Sequence, residues 1–214
     1  MNYLKSYTPD VEQLSVDECF LDYTPIAHLY GDPVSFAHRL KDEVKETFGF
    51  TVNIGISSNK LLAKMAGDFE KPNKVHTLFP EEIESKLWPL PVRNLFLVGP
   101  ATENKLKKMG IYTVGDLAKA DFSVLREKLG KHGETIWHFA NGRSTNAVIS
   151  APTDNKGYGN STTTPSDVTD RKEAYRVLLS LCETVAMRMR KDNKCGRCVS
   201  IHLRTNEFQH FSHQ

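Results

Sequence analysis

The spacing of apolar residues changes along the chain, and each change marks an element. In "LSVDECFLDYT", from Leu14, apolar residues fall in short groups that predict two short strands or one interrupted strand. Asp32-Pro33 then reads as an N-cap followed by the first helical residue. Phe36, Leu40, Val44 and Phe48 recur every fourth residue beyond it, which predicts an amphipathic helix. Phe50, Val52, Ile54 and Ile56 alternate, predicting a strand with all four on one face. Asn59 is placed to cap a second helix, "KLLAKMAGD", and "VHTLF" predicts a closing strand. Sheet covered by helix on at least one side is the expectation up to about Phe79.

From Pro80 to Asn146 the pattern is helical: "PEEIESKLWPL", "ATENKLKKMG", "TVGDLAKA" and "VLREKLGKHGETIWHFANG" are short apolar-periodic runs separated by Gly or Pro. The stretch "STNAVISAPTDNKGYGNSTTTPSD" is polar and small, and much of it reads as linker. Asp170 and Glu173 then form a D-x-x-E helix start. Ala174, Val177, Leu178, Leu181 and Val185 follow on one face of a long helix. Past a turn at "KDNKCGR", Val199, Ile201 and Leu203 alternate as in a strand. One helix and about two strands are too little to close a core, so the C-terminus is expected to be truncated. The fold class is α+β in three segments, 1–79, 80–146 and 147–214.

Composition narrows the class. The chain has 214 residues, 39% hydrophobic and 25% charged, as in a globular protein. No apolar run would span a bilayer and no signal peptide opens the chain, which predicts a cytoplasmic protein without a membrane partner. Four cysteines in this length do not make a disulfide framework. The net charge of +2 is unevenly spread: residues 1–79 hold 8 basic against 11 acidic side chains, residues 80–150 hold 10 against 8, and residues 151–214 hold 10 against 7. An acidic first third before two basic ones suits a cation site beside an anion-binding surface, and also suits many proteins with neither.

Three stretches carry candidate chemistry. In "SVDECFLD", Asp17 and Glu18 are adjacent inside strand-like sequence. A regular strand would send them to opposite faces. A surface turn between two strands accounts for the pair; so does a Mg²⁺ site, since a hairpin lets adjacent carboxylates converge and Mg²⁺ prefers carboxylate oxygens. Leu14, Val16, Phe20 and Leu21 are expected to anchor it. In "GISSNKLLAKMAGDFEKPNK", a strand-to-helix turn offers N–H groups to an anion, and Lys71, ahead of Pro72, is either a solvated lysine or one aimed at a phosphate. In "LFLVGPATENKLKKMGIYTVGDLA", a turn at Gly99 opens a helix bearing Thr102, Lys105, Lys107 and Lys108, a sequence-independent phosphate clamp. "LGKHGE", with Lys131, repeats that turn.

In this order the stretches resemble the Y-family, DinB-like translesion DNA polymerases. Ser15-Val16-Asp17-Glu18, with Phe20, Leu21 and Asp22, is similar to the family's S-[IV]-D-E-x-[FY]-L-D palm motif. Gly55 to Asn73 resembles its G-[IV]-S-x-N-K-x-L-A-K-x-A-x-D-x-x-K-P-N motif, and Leu95 to Ala118 its helix-hairpin-helix thumb. "GNSTTTPSDVTD" resembles the start of its little finger.

The resemblance implies that residues 1–79 are the C-terminal part of a palm, 80–146 a thumb, and 147–214 a linker with an incomplete α/β little finger. It implies two Mg²⁺ ions held by Asp17 and Glu18 with a further Asp, and Lys71 on the triphosphate of a deoxynucleoside triphosphate. Primer-template DNA would lie against Gly99, Thr102, Lys105, Lys108 and Lys131, and against His202 and Arg204 on a little-finger sheet face. A sliding clamp would bind through residues past the C-terminus.

The family's first metal-binding Asp lies in an N-terminal strand upstream of the fingers, and Asp10 does not match it. The chain is therefore expected to lack half the palm and the fingers, and to be inactive alone. Lys74 and Leu97 stand where the family usually has Gly. Cys195-Gly-Arg-Cys198, with His202, His210 and His213, has loosely zinc-like spacing, but one C-x-x-C at the mouth of a strand is a weak signal, and a metal-free pair is expected. The competing classes are a non-catalytic helix-hairpin-helix DNA-binding module with a degenerate palm, and a nucleotidyl cyclase, which fits the carboxylates but not the hairpin turns.

Overall fold

The computed structural model describes residues 1–144, 147–151 and 155–214. It runs α1 (Asn2–Lys5), β1 (Val11–Gln13), β2 (Cys19–Leu21), a 3₁₀ turn into α2 (Ala27–Tyr30), α3 (Pro33–Phe48), β3 (Ile54–Ile56), α4 (Lys60–Gly67) and β4 (Val75–Thr77). Short 3₁₀ and π turns between Pro80 and Asn94 lead to α5 (Pro100–Lys108), α6 (Val114–Lys119), α7 (Phe122–Leu129) and α8 (Lys131–Ala140). Then come α9 (Arg171–Lys191), β5 (Ile201–Arg204) and β6 (His210–His213). Packing separates two units, Met1–Pro152 and Thr153–Gln214.

In the first unit the caps read from sequence are made. Asp32 Oδ2 accepts the Ser35 N–H at 2.8 Å and starts α3. Asn59 Oδ1 accepts the Leu62 N–H at 2.9 Å and starts α4. Each satisfies an amide that the first helical turn leaves without a partner. α3 buries Phe36, Leu40 and Val44, the predicted face, against Ile26 and the rings of Tyr3, Tyr7, Tyr23 and Tyr30. Phe48 is instead half exposed, stacked with Phe50. Tyr3 and Tyr7 both donate their hydroxyls to Glu43, and burial together with that carboxylate pushes the Tyr7 phenol upward.

β3, α4 and β4 form a parallel crossover with Ile54 opposite Val75 and Ile56 opposite Thr77. A side chain on Gly55 would run into the Ala63 carbonyl and the Gly67 amide, so glycine is what lets α4 lie directly on β3. The strand expected over Phe50–Ile56 is shorter, because Asn53 takes the ladder's place. Its amide donates to the Gly67 and Glu70 carbonyls at 3.3 and 3.1 Å, and its carbonyl accepts the Lys74 N–H at 3.0 Å.

Among the described residues a single sheet is also not formed. β1 pairs antiparallel with β2, and β3 pairs with β4. The hairpin and the crossover each join the strands they connect, and among the described residues no strand bridges the two ladders.

α4 is shared between two environments. Leu61, Leu62, Met65 and Ala66 enter a core that continues through Leu78, Leu87, Val92, Leu95, Leu106, Leu117, Leu125 and Ile136 to Ala140. Fully burying each such leucine stabilises by about 1.5–3 kcal/mol. Asn59 Nδ2 adds a bond to the Gly142 carbonyl at 3.1 Å, and Trp88 Nε1 one to Ala140 at 3.0 Å.

In the second unit Asp170 Oδ2 accepts the Glu173 N–H at 3.2 Å and caps α9. The predicted apolar face, from Ala174 to Val185, is half-buried, and no residue of α9 is fully buried. β5 and β6 are antiparallel, with Leu203 opposite Phe211 and both exposed. Val199 lies ahead of the strand and is 78% exposed.

Candidate active site

The Asp17-Glu18 pair sits where β1 turns back into β2. Gln13 faces Cys19 across the hairpin, and the N–H groups of Leu14 and Ser15 both donate to the Glu18 carbonyl, at 2.9 and 3.2 Å. The turn takes the two carboxylates out of strand geometry and so removes the opposite-face problem of a regular strand. Ser15 Oγ donates to Asp17 Oδ1 at 2.6 Å. That bond, the Asp17 backbone N–H and the nearby Lys64 and Lys71 charges hold the Asp17 carboxyl below its ordinary range. The apolar anchoring expected of Leu14 and Val16 is absent: Val16 is at the tip, 95% exposed, and Leu14 is 41% exposed. What fixes the hairpin is polar and comes from α4.

Lys60, Lys64 and Asp68 recur every four residues, on a row of α4 distinct from its buried leucines. Lys60 Nζ meets Glu12 of β1 at 2.7 and 2.9 Å and lies over the Phe20 ring. Burial alone would raise the Glu12 carboxyl, but Lys60 and the Ile149 N–H lower it. Lys64 Nζ lies 2.7 Å from Glu18 Oε1 and 2.7 Å from Asp68 Oδ2. Burial works against its charge, yet the two carboxylates raise its pKa. Lys71 Nζ reaches Asp68 Oδ1 at 2.8 Å. Glu18 and Lys71 are thus linked through Lys64 and Asp68, two residues that sequence reading passed over, while Asp17 bonds Ser15 and only feels the Lys64 and Lys71 charges. Their i,i+4 and i,i+3 spacings were visible, but not that this row faces the hairpin.

The donor set fits a divalent cation in kind: carboxylate oxygens are Mg²⁺ ligands, and the Lys64 ammonium already occupies a cation position on Glu18. It is short in number. Among the described residues no group of three His, Cys, Asp or Glu side chains is placed to hold a metal, at the hairpin or around Cys195 and Cys198, which are free and exposed.

In the helical segment Gly99 is the N-cap of α5, with Pro100 the first helical residue. Leu97, in the position where glycine was expected, has φ +70° and is half exposed. Arg93 braces this turn, donating to the Val98 carbonyl and lying 3.7 Å from Glu103. Gly130, at φ +63°, turns α7 into α8. The two turns meet: Thr102 Oγ1 is 3.3 Å from His132 Nε2, so the first turns of α5 and α8 lie side by side. Lys105, Lys108 and Lys131 are exposed. In the second unit His202 stands opposite Ser212 and Arg204 opposite His210, so these four share one face of the ladder.

Known proteins match along the whole chain. The impB/mucB/samB family matches residues 1–68 and its C-terminal domain residues 155–214. Residues 93–143 match a family described as DNA polymerase-iota, thumb domain. Among curated relatives, DNA polymerase IV of Clostridium acetobutylicum is 43% identical over 100% of this chain and 54% of its own length. The chain belongs to the Y-family, DinB-like DNA polymerases.

DNA polymerase IV of Alkaliphilus oremlandii is 40% identical, over 98% of this chain and 53% of the relative. This Y-family chain therefore spans about half the length of the curated relatives it matches. A Y-family DNA polymerase chimera of Dbh and Dpo4 shares its fold with a TM-score of 0.78 at 23% identity, covering 100% of this chain and 61% of the chimera. DinB from Sulfolobus solfataricus does so with a TM-score of 0.62. The α+β class and the helical thumb of this Y-family chain agree with those matches.

Proposed function

We propose that this chain carries the carboxylate hairpin, thumb and part of the little finger of a template-directed translesion DNA polymerase. The observation that carries the reading is the Asp17-Glu18 turn faced by the Lys64–Asp68–Lys71 chain of ion pairs. Asp17 and Glu18 would hold Mg²⁺, together with a third carboxylate from outside the described set. Bound there, two such ions supply charge neutralisation at the attacking 3′-oxygen and at the leaving pyrophosphate. The work of the chain's own residues is to bind and orient. Ser15 fixes the Asp17 rotamer, and Lys64 holds Glu18 at the turn. Lys71, 59% exposed at its side chain, is free to swing from Asp68 onto a triphosphate.

The paired N-termini of α5 and α8, with Lys105, Lys108 and Lys131, would grip the phosphate backbone of primer-template DNA. His202 and Arg204 would do so on the β5–β6 face. The setting proposed is DNA repair in the cytoplasm. Clamp binding is proposed only through residues outside this chain.

A helix-hairpin-helix binding module without catalysis is favoured by one observation, the carboxylate set of two. Primer extension with Mg²⁺ separates the readings. The chain alone is expected to be inactive. Joined to the remainder of the Clostridium acetobutylicum relative, it is expected to extend a primer. Asp17→Ala or Glu18→Ala should then lower the rate by about 10²-fold or more with DNA affinity nearly unchanged. Robust extension by the chain alone, or by a joined protein lacking both carboxylates, would overturn the assignment.

A further inference from the structure

The Lys64 ammonium is shared. It bridges Glu18, on the hairpin, and Asp68, the residue that caps the C-terminal end of its own helix, at 2.7 Å each. Its side chain is 17% exposed, so water screens these pairs less than a surface pair. A divalent ion taking up Glu18 would place two positive charges beside this ammonium. Coulomb repulsion at such range strongly disfavours leaving it on the same carboxylate. Displaced from Glu18, the ammonium would be a buried unpaired charge unless another anion received it. Asp68 is already in contact, so the ammonium can give up Glu18 without losing its second partner. Asp68 also holds Lys71 through its other oxygen, 2.8 Å away.

We infer that Lys64 is the resident counter-cation of Glu18, which a divalent ion must displace, and that Asp68 is the acceptor that retains the displaced ammonium. Both are positioning residues, and the inference rests on the proposed reading of Asp17 and Glu18. It makes divalent affinity depend on two side chains that touch no metal, with opposite signs. Removing the ammonium removes a competitor. Removing Asp68's charge leaves Lys64 tied more firmly to Glu18.

The test uses Mn²⁺ alone as probe, titrated into this chain joined to the remainder of the Clostridium acetobutylicum relative, which supplies the further carboxylate, and followed by electron paramagnetic resonance of the free ion. Glu18→Gln tests the site reading: affinity equal to wild type, or no binding by wild type, overturns that reading and this inference with it. With wild-type binding lost in Glu18→Gln, the remaining variants test the inference alone. Lys64→Met, which keeps the buried stem, should bind Mn²⁺ several-fold more tightly. Lys64→Arg should stay near wild type. Asp68→Asn should bind several-fold more weakly, and Asp68→Glu should recover most of that loss. Structural damage would weaken binding in both neutralised variants. Weakening by Lys64→Met, or no loss in Asp68→Asn, therefore overturns the inference while leaving the site in place.

Discussion

Leu97 is where side chain and backbone disagree most openly. A φ of +70° brings Cβ against the following carbonyl in every residue but glycine, at about 1–2 kcal/mol. The turn tolerates it because Arg93 braces the Val98 carbonyl and Leu95 and Val98 are buried on either side. Leu97→Gly removes the clash, while glycine's freedom in the unfolded chain returns part of the gain. The expected outcome is a rise of roughly 0.5–1 kcal/mol in stability by urea titration; a fall would mean that the exposed leucine packs better than its surroundings indicate. The mismatch was legible in the sequence, as a leucine in a glycine's place. Lys64 was not, because its importance lies in what stands opposite, and a hairpin 46 residues away in sequence does not announce its contact.

Among the elements, helix starts were read well because capping is local. Asp32, Asn59 and Asp170 all accept the amides their positions promised. Strand lengths were read poorly because a ladder needs a partner, and Asn53 supplied side-chain bonds where more ladder was expected. The start of α6 allows a measured check. Thr113 Oγ1 accepts the Asp116 N–H at 3.0 Å, and Asp116 Oδ2 accepts the Thr113 and Tyr112 N–H groups at 2.8 and 3.0 Å. Thr113→Ala should cost about 1 kcal/mol at neutral pH. The amides of Thr113 and Tyr112 lower the Asp116 pKa. A carboxyl depressed on folding contributes stability above its unfolded pKa and loses it as pH falls through the folded one. Melting curves of Asp116→Asn should therefore lie below wild type at pH 7 and approach it as pH drops under the ordinary value of 3.8. A gap that persists in acid would show that the bond, and not the charge, carries the cap.

For the molecule as a whole, the charge asymmetry along the sequence has a counterpart in the packing: a hairpin bearing Asp17 and Glu18 at one place and exposed lysines around two joined helix starts at another. That the turns at Gly99 and Gly130 come together could not be read from their separation in sequence, since it depends on how α7 and α8 fold back. DNA binding by this region should be insensitive to base sequence and weaken steeply with salt through counterion release. Lys105→Ala with Lys108→Ala should lower affinity and reduce the slope of log K against log salt by about 2, close to one unit per lost phosphate contact. Equal binding by wild type and the double variant at low salt would remove these lysines from the interface.

The place of α4 in two environments has a consequence for recombination between relatives. A crossover at residue 79 or 80 looks natural in sequence, yet it would leave Leu61, Leu62 and Met65 of one parent meeting Leu106, Leu117 and Ile136 of another. It would also leave Asn59 of one parent to bind the Gly142 carbonyl of the other. The piece that travels intact begins before Asn59. With it go Lys60, Lys64 and Asp68, so a transplanted thumb brings half of the new host's ion pairs around its carboxylates. Inheritance in this lineage would then pass the helical segment and the ion pairs at the Asp17-Glu18 turn together, as one heritable block.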